Sequence, residues 1–138
     1  MILLDTDTLS LYFSGHSRVM ARVGSAEEPS DTSVISRIEV LRGRFESVLK
    51  AENGDQLLWA EERLGAAERA LAKFVIVPFN AIAAAEFDRL RQDKKLKKIG
   101  RADLLIATIA LAHRATLVTR NLQDFRQVPG LRLENWAD

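Results

Sequence analysis

Short apolar runs alternate with longer segments of helical periodicity along this chain. The apolar runs predict five strands, at residues 2–4, 32–35, 75–77, 115–119 and 131–134. The segments between them predict helices. Helices are predicted over residues 9–13, 17–23, from 36 to the break at Asn53-Gly54-Asp55, 57–74, 81–97 and 104–113.

Strands separated by helices indicate an α/β fold. We expect one domain over residues 1–138, with a parallel sheet of about five strands and helices on both faces. Ligands of such sheets lie at the carboxyl ends of the strands, near the point where the strand order reverses. The residues that follow each predicted strand are therefore the first candidates for a functional site.

Acidic residues stand at the ends of predicted core elements. Asp5 ends the first apolar run, Glu39 interrupts an apolar helix face, Asp103 precedes Leu104, and Asp124 follows the strand near residue 119. Burying a carboxylate is costly unless something pairs with it. Hard divalent cations such as Mg²⁺ prefer oxygen ligands. The pattern predicts a Mg²⁺ or Mn²⁺ site for phosphodiester chemistry.

Ordinary structural explanations exist for Asp103 and Glu39, whereas none remains for Asp5. Asp103 is a suitable N-cap for a helix that begins at Leu104. Asp7 is predicted to cap the first helix, which leaves Asp5 without a structural task. Glu39 stands three residues before Arg42, a good spacing for an exposed ion pair on a helix.

Two polar residues after the strand at 115–119 complete the candidate set. Asn121 and Asp124 are ordinary turn residues after a strand, and either is also suited to a polar crevice at the strand end. The choice between them stays open.

Composition narrows the classes of function. The 138 residues are 47% hydrophobic with a net charge of +1, so one ordinary core is expected and the overall charge does not point to nucleic acid. The absence of cysteine excludes disulfides, zinc–thiolate sites and a thiol nucleophile. No signal peptide or membrane anchor is recognisable, so we expect a cytoplasmic protein that does not associate with membranes.

Local charge and apolar clusters suggest two surfaces. The basic stretch over residues 89–101 leads into Asp103 and is either a solvated helix end or a contact to a phosphate backbone. Leu9, Leu11, Tyr12 and Phe13 exceed what a short helix needs for one core, which predicts a homodimer interface.

Together these segments resemble the PIN-domain ribonucleases, in particular the VapC-type toxins of bacterial toxin–antitoxin pairs. The resemblance covers nearly the whole chain. It rests on the segments Leu3-Leu4-Asp5-Thr6-Asp7, Thr32 to Gly43, Gly100 to Ala107, Leu117 to Phe125, and Val128 to Trp136.

The resemblance implies a fold, an activity and partners. It implies a parallel five-stranded sheet and a Mg²⁺-dependent endoribonuclease, in which Mn²⁺ is able to replace Mg²⁺, acting on RNA. Asp5, Glu39 and Asp103 match the family's metal-binding positions, and Asn121 or Asp124 matches the fourth. Such proteins are commonly dimers held inactive by a VapB-like antitoxin. The family usually has Asn where this chain has Asp7.

Two other functions fit parts of the sequence. Asp5-Thr6-Asp7-Thr8 resembles the haloacid dehalogenase-like phosphatases, where Asp5 would be the nucleophile and Asp7 the general acid. The later residues fit that class poorly, since no acidic pair follows the last strands. The third class is a non-catalytic, RNA-binding PIN module.

Overall fold

A computed structural model describes all 138 residues and contains one parallel sheet. The five strands lie in the order β3-β2-β1-β4-β5. Every neighbouring pair of strands is parallel. The strands are β1 (Ile2–Leu4), β2 (Ser30–Ser33), β3 (Ile76–Val77), β4 (Thr116–Val118) and β5 (Arg132–Glu134).

Seven α-helices connect and cover these strands, and a short 3₁₀ turn, Lys94–Leu96, follows α5. No helix is both long and apolar enough to span a lipid bilayer. The helices are α1 (Thr6–Phe13), α2 (Ser17–Ser25), α3 (Val34–Leu49), α4 (Gly54–Leu71), α5 (Ala81–Leu90), α6 (Arg101–Ala112) and α7 (Leu122–Phe125).

The central strand β1 divides the sheet. The chain adds β2 and β3 on one side of β1 and then places β4 and β5 on the other. Leu4 lies opposite both Thr32 and Val118, so the residues that follow β1 and β4 leave the sheet at the same edge. This is the point of strand-order reversal where parallel sheets bind ligands.

Both faces of the sheet are buried. Successive side chains of a strand point to opposite faces, so neighbouring residues enter different clusters. Leu3 belongs to a cluster with Ile106, Leu117 and Phe125. Leu4 belongs to a second cluster that includes Trp136. The predicted α/β class, the parallel five-stranded sheet and the helices on both faces are confirmed.

Several predicted boundaries were wrong. The second strand ends at Ser33 rather than at residue 35, because the Ser33 hydroxyl accepts the amide of Ser36 at 3.1 Å and caps α3. The helix predicted over 81–97 ends at Leu90. There the chain turns, and Asp93 caps the 3₁₀ turn.

The apolar residues of the first helix are less exposed than the sequence suggested, and the dimer interface expected there stays a prediction. Leu9 is fully buried, and the rings of Tyr12 and Phe13 pack edge to face with Phe74. Leu9 therefore belongs to the core of the single chain, whereas Tyr12 and Phe13 are half-buried. The more exposed apolar side chains lie elsewhere, notably Ile38, Phe45 and Leu49 on α3 and Val75, Phe79 and Ile82 around β3 and α5.

Candidate active site

Asp5 is buried at the carboxyl end of β1. Its side chain is 4% exposed, and its Oδ1 accepts the amide of Thr8 at 2.8 Å. Asp5, and not Asp7 as predicted, is the N-cap of α1, which begins at Thr6. Asp7 lies exposed in the first turn. The cap therefore occupies Oδ1 of Asp5.

Asp103 does not cap a helix, contrary to the prediction. Helix α6 begins at Arg101, with Gly100 at the N-cap position and no side-chain cap. Asp103 is in the first turn of α6, where its Oδ2 accepts from the side-chain amide of Asn121 at 3.3 Å. Its carboxylate is therefore free of the structural task that the sequence suggested.

Asn121 joins two acidic side chains. It follows β4, and its Nδ2 donates to Asp124 Oδ2 at 3.0 Å as well as to Asp103. The backbone amide of Asn121 donates to the buried hydroxyl of Thr119 at 2.9 Å. Both candidates for the fourth position therefore lie beside Asp103, and Asn121 is the bridge between the two carboxylates.

Glu39 turns toward α1 rather than toward Arg42, with which it forms no ion pair. Thr6 Oγ1 donates to Glu39 Oε1 at 2.6 Å and lies 2.9 Å from Ser36 Oγ. Thr6 is a residue that the sequence analysis missed as a site residue. The available signal was its position directly after Asp5 at a strand end.

The electrostatics of the cluster are repulsive. Burial raises the pKa of the Asp5 carboxyl above its usual value, and hydrogen bonds from Thr119 and Thr8 oppose that shift. Burial, followed by the charge of Asp5, raises the pKa of Asp103, while the Asn121 hydrogen bond lowers it. The charges of Glu39 and Asp124 raise the pKa of Asp103 further.

No basic side chain compensates this charge. The five ion pairs of the structure involve none of the four carboxylates. Such a set of hard oxygen donors fits a divalent cation. No three of the carboxylates surround a common point in the structure. A cation held by these carboxylates would require side-chain rotation, with exchange of the Asn121 hydrogen bonds to Asp103 and Asp124.

Comparisons with family models and with known proteins indicate the same family. A model described as "PIN domain" matches residues 2–131. Ribonuclease VapC2 of Rickettsia felis is 43% identical over 68 residues, which are 48% of this chain and 51% of that protein. The chain thus matches about half the length of that relative. Ribonuclease VapC1 of Haemophilus influenzae strain R2866 is 30% identical over 139 residues, covering 98% of this chain and 97% of the relative.

A solved structure extends the likeness to three dimensions. VapBC2 from Rickettsia felis, bound to a DNA fragment from the promoter, contains a chain that matches with a TM-score of 0.81 at 27% identity. The match covers 99% of both chains. The sheet order, the acidic strand ends and these matches agree: the chain belongs to the PIN-domain family, in its VapC-type branch.

Proposed function

We propose that this protein is a Mg²⁺-dependent endoribonuclease and the toxin of a toxin–antitoxin pair. The observation that carries the proposal is the uncompensated carboxylate cluster at the switch point of the sheet. Burial raises the pKa of Asp5 and, more partially, that of the half-buried Asp103, and the charge of Asp5 adds to the shift of Asp103. The names of the VapC relatives supply the substrate class, since those proteins are called ribonucleases.

Asp5 and Asp103 would hold the cation, with Glu39 as a further ligand or as the group that orients the attacking water. A bound divalent cation would lower the pKa of a water and stabilise charge on the scissile phosphate. In the metal-free structure Asn121 donates to both Asp103 and Asp124, and a bound cation would replace part of this hydrogen bonding. Asp5 is held in place by the Thr8 amide.

An antitoxin and a second copy of the chain are the proposed protein partners. The solved Rickettsia felis neighbour is a VapBC2 assembly, which supports a VapB-like partner. The exposed apolar stripe on α3, formed by Ile38, Phe45 and Leu49, supports a homodimer. It is more exposed than the surface suggested on α1, where Leu11, Tyr12 and Phe13 are half-buried.

A cleavage assay tests the proposed activity. The purified chain, incubated with a cellular RNA pool, is expected to cut RNA with Mg²⁺ or Mn²⁺ and to stop in excess EDTA. Asp103→Asn is expected to abolish cleavage, because it removes a ligand without removing a helix cap. Cleavage that persists in EDTA, or in the Asp103→Asn variant, would contradict the proposal.

The same assay separates the alternatives. A haloacid dehalogenase-like phosphatase needs Asp7 as an acid, whereas here Asp7 is exposed and forms no hydrogen bond to the other acidic side chains of the site. Asp7→Asn is therefore expected to cut RNA as the parent does. A non-catalytic module would cut no RNA under any of these conditions.

A further inference from the structure

A cavity opens beside the acidic cluster, between α1, α3 and α4. Its volume is about 750 Å³, and Thr6 and Glu39 belong both to its wall and to the candidate active site. This volume is within the ~300–1,000 Å³ range of ligand pockets. A ligand held in the cavity would therefore touch groups that neighbour the reacting phosphate.

The chemistry of the cavity wall differs from that of the acidic cluster. Arg44 of α3 and Arg63 of α4 contribute two positive charges, and neither forms an ion pair. Arg63 is positioned by Trp59, whose ring lies 4.5 Å from the Arg63 guanidinium carbon. Guanidinium groups bind phosphate oxygens in bidentate fashion. The serine hydroxyls of Ser10, Ser14 and Ser47 complete the polar part of the wall.

We propose that this cavity binds the nucleotide adjoining the scissile phosphate of single-stranded RNA, an inference that rests on the proposed ribonuclease function. Arg44 and Arg63 bind the phosphate of that nucleotide, and the serine hydroxyls face its ribose. The 2′-hydroxyl is the group that distinguishes RNA from DNA at such a site. Without metal the carboxylates repel the RNA backbone, and the basic wall supplies attraction beside them.

Gly43 offers a way to fill the cavity without disturbing the fold. It lies on α3 in the cavity wall, and a Cβ built there meets no atom within 4 Å. Leucine is a better helix former than glycine. Gly43→Leu should therefore fold and occlude the cavity. Gly24→Leu is the matched control, because Gly24 is on α2 outside the cavity and is equally open.

The test measures binding of a fluorescent single-stranded RNA, and of DNA of the same sequence, in an Asp5→Asn background without metal. Arg44→Ala combined with Arg63→Ala is expected to weaken RNA binding roughly tenfold or more, as loss of charged hydrogen bonds implies. The log–log salt slope should become shallower by about 0.7 per lost phosphate contact. Gly43→Leu should also weaken RNA binding. The protein with an intact cavity should bind RNA more tightly than DNA, and the cavity variants should lose this preference.

Arg42→Ala combined with Arg69→Ala is the charge-matched control, from the same two helices but outside the cavity wall. Equal losses in this control, or unchanged affinity in the cavity variants, would overturn the subsite. If the metal-loaded parent cuts RNA while the cavity variants bind normally, only the subsite fails. A parent that neither binds nor cuts RNA would overturn both proposals.

Discussion

At the scale of single residues, the site depends on hydroxyl and amide groups that hold carboxylates against their mutual repulsion. Thr6 is the clearest case, since its hydroxyl reaches both Glu39 and Ser36. Without that hydroxyl, Glu39 would be free to swing away from the cluster. Thr6 is therefore a positioning residue for Glu39.

Thr6→Val is expected to reduce RNA cleavage by roughly tenfold to a hundredfold, the equivalent of one hydrogen bond to a charged group. Thr6→Ser keeps the hydroxyl and should restore most of the activity. Calorimetric titration with Mn²⁺ should show weaker binding for Thr6→Val alone. Equal cation affinity and activity in the valine and serine variants would mean that the hydroxyl has no role in positioning.

The raised pKa of Asp5 makes a prediction about stability. Burial raises this pKa above the usual 3.8, so the folded protein binds the proton more tightly than the unfolded chain does. The free energy of unfolding therefore falls as pH rises from about 3.8 through the raised pKa of Asp5. The cost of burying the charged carboxylate remains at neutral pH. Asn caps a helix as well as Asp. Metal-free Asp5→Asn should thus melt above the parent at pH 7.

Thermal melts in EDTA between pH 4 and pH 7 measure this difference. The advantage of Asp5→Asn should shrink as pH falls, because the parent carboxyl becomes protonated and uncharged. Added Mg²⁺ should stabilise the parent and leave the variant unchanged. A variant that melts below the parent at every pH would show that Asp5 is needed mainly for the fold.

At the scale of elements, the order and type of the segments were predictable and the helix starts were not. Apolar runs and helical periodicity indicate which residues are buried, because strands and helices of this fold place their apolar side chains in the core. Several neighbouring polar residues are suitable helix caps, and the sequence alone does not say which of them precedes the first helical residue. Asp5 is the N-cap of α1 and accepts the Thr8 amide, so Asp7 lies within that helix. Gly100 is at the N-cap position of α6, so Asp103 lies within that helix.

The same limit applies to the site. Asp5, Asp103, Asn121 and Asp124 were predictable because they follow strands or flank an apolar helix, and the structure brings them together. The Thr6–Glu39 contact joins residues 33 positions apart, so no local pattern reports it. The resemblance to the family supplied Glu39, since its position on a helix suggested only a surface ion pair.

The turn between α5 and α6 carries four exposed lysines, Lys94, Lys95, Lys97 and Lys98. If they bind the RNA backbone, replacing all four with Ala should weaken RNA binding and make the salt slope shallower by about 0.7 per lost contact. Replacing the other two lysines, Lys50 and Lys73, with Ala is the control, because neither lies in this turn. An unchanged salt slope in the quadruple variant would identify a solvated surface.

At the scale of the whole molecule, the exposed α3 stripe predicts self-association. Phe45 is 46% exposed and Leu49 is 83% exposed in the single chain. Phe45→Glu combined with Leu49→Glu should convert a dimer into a monomer, because charge buried in an apolar interface is unfavourable. Light scattering at micromolar concentration measures the mass. Met20→Glu, on an exposed apolar position of α2, should remain dimeric.

The proposed divalent-cation site combines the carboxylates after β1, in α3 and in α6. Calorimetric titration of Mn²⁺ into the parent, Asp103→Asn and Asp7→Asn tests this proposal. Asp103 and Asp7 both lie in a first helical turn and neither is a cap, so the two variants are matched. We predict saturable binding in the parent and in Asp7→Asn, and its loss in Asp103→Asn. Equal binding by all three proteins, or by none, would contradict the account.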